Sequence, residues 1–300
     1  MLLLDKHTFP RDKICGDAIG GRVRNVLNQI DPALLNQLDQ FTKKTASTGW
    51  KLISPGGNEI QVDFTVAGHV SRRMDFDNWL MERVKERNSI SIEEGADIHS
   101  IEYGKNSVIL RSKDGRIFET KLIVACDGAH SIVAKKFTGF VPSWKNYSGA
   151  VRAYYEGISG MQEGIIEIHL DNRFMPGYFW IFPLNQHEAN VGFGMLSSDV
   201  RKKKIDLKIA LDEIITQSPT LSRRFLNAKR SGEIRGFGLP LGGRNLPVSG
   251  ERFMLCGDAA SLIDPLNGEG IGNAMWSGWL AAKQVQTCFE ENRFDQSFMK

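Results

Sequence analysis

The spacing of apolar and polar residues changes repeatedly along the 300 residues, and each change marks an element. Leu2-Leu3-Leu4 followed by Asp5 reads as a short strand that stops on an acidic residue. A polar, glycine-bearing loop over 10–21 comes next, and helical spacing then predicts a helix over 23–38. Between 50 and 64 the period falls to two and breaks at Pro55-Gly56-Gly57, which predicts a β-hairpin. Helical spacing returns over 76–87, where Trp79, Leu80 and Val84 sit among flanking charges. Hairpin-like strands are expected at 98–103 and 107–111, with Lys113-Asp114-Gly115 as a turn before Ile117. The run 121–126 is continuously apolar and ends at Asp127-Gly128, the pattern of a buried parallel strand.

From 141 to 240 the chain is strand-like and rich in aromatics, with strands expected at 151–155, 165–170, 178–183 and 190–195. A polar helix over 205–227 interrupts them, and Pro219 either breaks it or starts a second one. The apolar run 253–256 leads into Gly257-Asp258, and a long apolar helix is expected over 270–290. Alternating strand and helix segments thus flank a β-rich insertion, which predicts a discontinuous, two-domain α/β arrangement.

Composition narrows the class. With 41% hydrophobic and 24% charged residues the chain is of the soluble globular kind. Its 38 Lys+Arg against 35 Asp+Glu leave +3, too little to argue for a polyanionic partner, and no basic block offers a nucleic-acid footprint. No apolar run approaches the ~18 residues of a membrane span. The stub before Asp5 is too short for a signal-peptide core, so a cytoplasmic location is expected. Cys15, Cys126, Cys256 and Cys288 are scattered, without a CxxC pair or histidines at ligand spacing, so no metal is expected; Cys126 and Cys288 read as small buried apolar residues. Thirty glycines exceed the ~7% average and point to places where backbone turns tightly or approaches something closely.

Two places repeat one design, an apolar strand running into a small residue, an aspartate and a glycine-bearing turn. The first is Cys126-Asp127-Gly128-Ala129-His130-Ser131. The second is Cys256-Gly257-Asp258-Ala259-Ala260, leading to Asp264-Pro265-Leu266-Asn267-Gly268-Glu269-Gly270-Ile271-Gly272-Asn273. Glycines admit a ligand to the backbone, a helix start favours anionic or electron-rich groups, and a strand-end aspartate can accept hydrogen bonds from sugar hydroxyls. Either pair alone fits an ordinary turn; the whole stretch 256–273 does not.

That stretch resembles the second FAD-binding region of the flavoproteins that include para-hydroxybenzoate hydroxylase, most closely their geranylgeranyl reductase branch. Other stretches match in the same order: Pro10-x4-Cys15-Gly16, Arg73-x-x-Phe76-Asp77-x-x-Leu80, the run 124–131 with its Asp127-Gly128, and Tyr178-x-Trp180-x-Phe182-Pro183 followed by Asn190-Val191-Gly192. The resemblance implies a Rossmann-like FAD-binding domain over 1–45, 69–140 and 246–300, and an inserted β-sheet substrate domain over 46–68 and 141–245. It also implies FAD contacts. Asp5 holds the adenosine ribose, Arg73 the pyrophosphate side, and Ile98 offers its backbone to adenine. Asp258 holds ribityl or phosphate oxygens, Gly270 and Ile271 give amides to the flavin, and Asp127, Gly257, Gly268 and Gly272 count among the cofactor contacts. Cys15 and Gly16 lie beside the flavin ring, Cys15 as proton donor or as a shaper of the pocket. Tyr178, Trp180 and Phe182 share one strand face, which suits a hydrophobic substrate or a plain sheet core.

The departures are as informative. The family opens with a strand, G-x-G-x-x-G and a helix, none of which is present here, and Asp17 stands where the branch commonly has a second glycine. The expectation is therefore a fragment lacking the first βα unit, roughly 25 to 30 residues. The implied activity is FAD-dependent reduction of C=C bonds in an isoprenoid chain, lipid- or quinone-linked, with NAD(P)H or another reductant as donor. Peripheral membrane contact to reach a lipid substrate fits that reading. An aromatic or polyketide monooxygenase or a halogenase is the alternative on the same fold, and an inactive fragment the second alternative.

Overall fold

The computed structural model describes residues 1–243 and 245–299. In chain order the strands and helices are β1 (Leu2–Asp5), β2 (Ala18–Ile19), α1 (Gly21–Ile30), α2 (Pro32–Gln40), β3 (Thr45–Ile53), β4 (Glu59–Val70), α3 (Arg73–Lys85), β5 (Ser91–Glu94), β6 (Ile98–Tyr103), β7 (Val108–Ser112), β8 (Ile117–Thr120), β9 (Ile123–Ala125) and α4 (Ile132–Thr138). They continue as β10 (Tyr147–Glu156), β11 (Ile165–His169), β12 (Tyr178–Pro183), β13 (Glu188–Leu196), α5 (Ser197–Lys203), α6 (Leu207–Gln217), α7 (Pro219–Arg224), β14 (Lys229–Pro240), β15 (Ser249–Gly250), β16 (Phe253–Leu255) and α8 (Ile271–Glu290).

The expected helix over 23–38 is two helices. Asp31 accepts the Ala33 amide at 2.9 Å and Pro32 occupies the first helical position, so the chain restarts there. The same device, Ser218 before Pro219, starts α7 after α6. The helix α5 and the long strand β14 carry no clean periodicity and were not expected as separate elements.

The chain divides into two compact units, one of 1–12, 74–142 and 240–300, the other of 13–73 and 143–239. Residues 13–45 thus group with the β-rich unit, not with the expected FAD-binding part. Their strand β2 pairs antiparallel with the end of β4, and α1 starts so close to β4 that a Cβ on Gly21 would sit 2.8 Å from the Val66 carbonyl.

The β-rich unit is built on one eight-stranded sheet, in the order β14-β10-β13-β12-β11-β3-β4-β2. One face is packed under α6 and α7: Phe179 and Ile181 of β12 and Val191, Phe193 and Met195 of β13 meet Leu211, Ile214 and Leu221. Burying each such side chain contributes roughly 1.5–3 kcal/mol. At one side of that core Glu167 receives both guanidinium amines of Arg224, at 2.6 and 2.8 Å, and sits 2.8 Å from His169 Nε2. Burial by itself raises the Glu167 carboxyl, but Arg224 and His169 outweigh it and hold the group at about 2.

The other unit has small ladders. β1 pairs parallel with β5, β9 pairs parallel with β16 and β16 antiparallel with β15, and β6-β7-β8 form an antiparallel sheet. Among the described residues no ladder joins β1–β5 to β9–β16. The run 121–126, expected to be buried on both sides, is buried on one. Ile123 and Ala125 are buried, whereas Val124 is 37% exposed and Cys126 is exposed too, although Met254 and Cys256 beside them on the same face are buried, because β9 is the sheet edge and α8 packs over β16. Cys288 is buried as expected, beside Met299.

Candidate functional site

In the unit with the parallel ladders, the chemistry gathers where β9 and β16 end. In register, Ala125 lies opposite Leu255, so the Cys126-Asp127-Gly128 and Cys256-Gly257-Asp258 turns leave the sheet side by side at its carboxyl end. Gly257 has a φ of 57°, and a Cβ there would meet the Ala274 Cβ at 2.8 Å, so glycine lets the turn pack on α8. Gly128 and Gly268 also hold left-handed backbone, at 78° and 76°.

The Asp258 carboxylate comes to the start of α8, its Oδ1 lying 3.8 Å from where a Cβ on Gly270 would stand. No side chain on Gly270 caps the helix, and Glu269 takes the Gly272 amide at 3.1 Å. The Gly270 and Ile271 amides at the head of this twenty-residue helix are left for water or a ligand, where the dipole favours negative charge. Asp127 serves first as local scaffolding, since its Oδ2 accepts the Ile132 amide at 2.9 Å at the start of α4.

Asp5 and Ile98 stand on other ladders of the same unit. Asp5 ends β1 opposite Glu94; its Oδ1 accepts the His7 amide at 2.8 Å, and Arg11, itself 2.9 Å from Asp77, lies 3.9 Å away. Ile98 starts β6 opposite Ser112.

The β-rich unit brings Cys15, Gly16, Trp180 and Phe182 together. A Cβ on Gly16 would lie 3.2 Å from Phe182 and 3.6 Å from Trp180 Nε1, so this loop is seated on the aromatic face of β12. Trp180 and Phe182 stack with centroids 5.9 Å apart and are buried beneath it; Tyr178, 6.0 Å from Trp180, is half-buried. Gly192, opposite Trp180 on β13, is required because a Cβ there would overlap the indole.

Residues that sequence reasoning did not assign hold this loop down. Asn190 Oδ1 accepts the Trp180 indole N–H at 3.0 Å, while its Nδ2 donates to the Cys15 carbonyl and to Asp17 Oδ2, both at 2.8 Å. Asp17, fully buried with a φ of 66°, also accepts the Tyr154 hydroxyl at 2.8 Å and the Arg73 amide at 3.3 Å. Tyr154 in turn lies between the guanidinium groups of Arg72 and Arg152, 4.4 and 4.5 Å from its ring centre. Burial pushes the Asp17 carboxyl up, against the hydrogen bonds from Asn190 and Tyr154, the Arg152 charge and the Arg73 amide. The available signal was polar residues at sheet positions, Arg152 and Tyr154 on β10 and Asn190 on β13, in strands otherwise apolar. Arg73 is thus found at the start of α3 with its backbone on Asp17.

A flavin dinucleotide suits the donors of the first cluster. Amides at a helix head without a side-chain cap, a carboxylate beside them, and open space at Gly128 match a ligand with anionic and hydroxyl groups.

The family model of the geranylgeranyl reductase catalytic domain matches residues 147–232. A menaquinone reductase of Mycobacterium tuberculosis is 30% identical over 302 aligned residues, covering 96% of this chain and 71% of that protein. A digeranylgeranylglycerophospholipid reductase of Methanopyrus kandleri is 27% identical, over 83% of this chain and 63% of its own length. Among solved structures, a geranylgeranyl bacteriochlorophyll reductase-like protein of Thermoplasma acidophilum superposes with a TM-score of 0.84 at 22% identity, covering 99% of this chain and 74% of its own. A halogenase solved with phloroglucinol and FAD gives 0.77 at 15% identity, covering 99% and 66%, a likeness of fold.

Proposed function

This chain belongs to the flavin-dependent geranylgeranyl reductase family, and from that premise we propose that it reduces C=C bonds of an isoprenoid chain, lipid- or quinone-linked, using FAD. When bound, the flavin supplies the hydride. Asp258 accepts hydrogen bonds from cofactor hydroxyls, and the Gly270 and Ile271 amides stabilise negative charge at the head of α8. Gly128, where a Cβ would meet nothing within 4 Å, keeps the approach free of side chains. Cys15 delivers the proton to the second alkene carbon, and Tyr178, with the apolar face beyond it, excludes water. Peripheral contact with a membrane brings the protein to its lipid substrate.

The observation that carries this reading is the Cys15–Gly16 loop pinned onto the Trp180–Phe182 face by Asn190. A thiol-bearing loop held rigidly on an apolar sheet suits protonation of an uncharged alkene. Cys15→Ser tests it, because serine keeps the volume but is a far weaker acid than a thiol of pKa ~8.5. Under anaerobic conditions the substituted protein is expected to keep its FAD, while isoprenoid-dependent oxidation of the reduced protein slows about 10²-fold or more. An unchanged rate removes Cys15 from proton delivery. A parent protein whose reduced form is oxidised only when oxygen is admitted is a monooxygenase instead.

A further inference from the structure

The aromatic face of β12 continues outward across three more strands. In register, Trp180 lies opposite Ile168, Ile168 opposite Leu52, and Leu52 opposite Ile60. One step along, Ile166 lies opposite Trp50 and Trp50 opposite Val62, with Phe182 on the same face two residues from Trp180. Ile166 and Ile168 pack against the Trp180–Phe182 cluster. These rows therefore form a single apolar strip from beneath the Cys15 loop to β4.

The strip emerges into the open as it goes. Trp180 is buried, Ile168 and Leu52 half-buried, and Ile60 and Val62 are 62% and 42% exposed. Phe64 and Val66 extend the same alternation along β4. The opposite side of β4 is polar, carrying Glu59, Gln61 and Asp63, with Lys51 and Glu59 paired at 3.1 Å. An exposed strand that sorts its side chains this strictly has an apolar face made to be covered. Three spacings between paired strands make the strip about 15 Å long, the reach of roughly three extended isoprene units.

Resting on the reductase reading, we infer that this strip is the bed of the substrate's prenyl tail, which runs from the Cys15 loop across β11 and β3 to Ile60 and Val62 on β4. The occupant is an uncharged, flexible hydrocarbon: the exposed stretch of β4 presents Ile60, Val62, Phe64 and Val66 on its face, with no charged side chain among the described residues of that face, and its inner end meets the loop that carries the thiol. Affinity then depends on chain length, and Ile60 and Val62 read the distal units.

Binding of geraniol, farnesol and geranylgeraniol to the protein, followed by quenching of tryptophan fluorescence, tests this without any turnover. The parent is expected to bind geranylgeraniol about tenfold or more tighter than geraniol, as each added unit removes apolar surface from water. An Ile60→Ser, Val62→Ser double variant, altered only at exposed positions, is expected to bind geraniol as the parent does and to lose about tenfold for geranylgeraniol. Length-blind binding by the parent, or full geranylgeraniol affinity in the variant, overturns the inference. So does a parent dimer in analytical ultracentrifugation that the double variant abolishes, because the face is then a contact between copies. Length-graded binding without anaerobic turnover counts against the reductase reading alone, and turnover with length-blind binding against the strip alone.

Discussion

The two units use strands for opposite purposes. In residues 13–73 and 143–239 one sheet runs unbroken through eight strands, and its central positions, Phe179, Ile181, Val191 and Phe193, are almost wholly removed from water. In 1–12, 74–142 and 240–300 the ladders are short, β9 exposes alternate residues, and the polar atoms cluster where strands end. A continuous sheet fixes a face, and so can carry a row of aromatics and a loop pinned upon it. Strand ends with glycine turns fix little by themselves, yet set a carboxylate beside the amides of a helix head. Rigidity lies on the substrate side, and glycine turns beside a helix head on the cofactor side.

The largest expected effect is in the continuous sheet. Phe193→Ala removes a fully buried ring that meets Phe174 edge-on with centroids 5.3 Å apart, and is expected to cost about 3–5 kcal/mol in urea denaturation. Val124→Ala on β9, already 37% exposed, is expected to cost less than about 1 kcal/mol. Equal losses at the two positions break the comparison.

Acid acts next, through His69 at the end of β4. Burial lowers its pKa from 6.5 to about 4, helped by repulsion from Lys44 and Arg24 and opposed by Asp39. The folded protein keeps this ring neutral while the unfolded chain protonates near 6.5, so stability is whole above that pH and falls as pH drops towards 4. The loss reaches about 3 kcal/mol, and His69→Gln should flatten that part of the profile measured by denaturation at stepped pH. An unaltered slope in the variant shows that other groups govern acid sensitivity.

On the cofactor side the effect is on binding. Asp258→Ala is expected to weaken FAD by about ten- to hundredfold, or ~1.5–3 kcal/mol, with little change in urea midpoint. Isothermal titration of the flavin-free protein measures it. A large loss of stability with unchanged FAD affinity makes the turn at 257–258 structural and sharpens the contrast no further.

Much of this was legible in residue order. The strand 178–183 and the helix over 270–290 follow from period and flanking glycines, and the pairs Asp127-Gly128 and Gly257-Asp258 mark strand ends because an apolar run stops on each. The break at Asp31-Pro32 was present in the sequence but overridden by helical spacing on both sides. What could not be read was which distant polar residues meet. Asp17 and Asn190 are 173 positions apart and share a hydrogen bond only because β13 lies beside β12 and the loop folds over both.

Local periodicity, the glycine turns and the family are written in residue order, since these depend on residues near in the chain or on an ordered set of short motifs. Pairing across the chain settles that 13–45 join the β-rich unit, that Val124 and Cys126 stay exposed at a sheet edge, and that Trp50, Leu52, Ile60 and Val62 extend one apolar face. The physical reason is register: alternation says that two residues of one strand share a side, but only pairing between strands says which side that is and what, if anything, covers it.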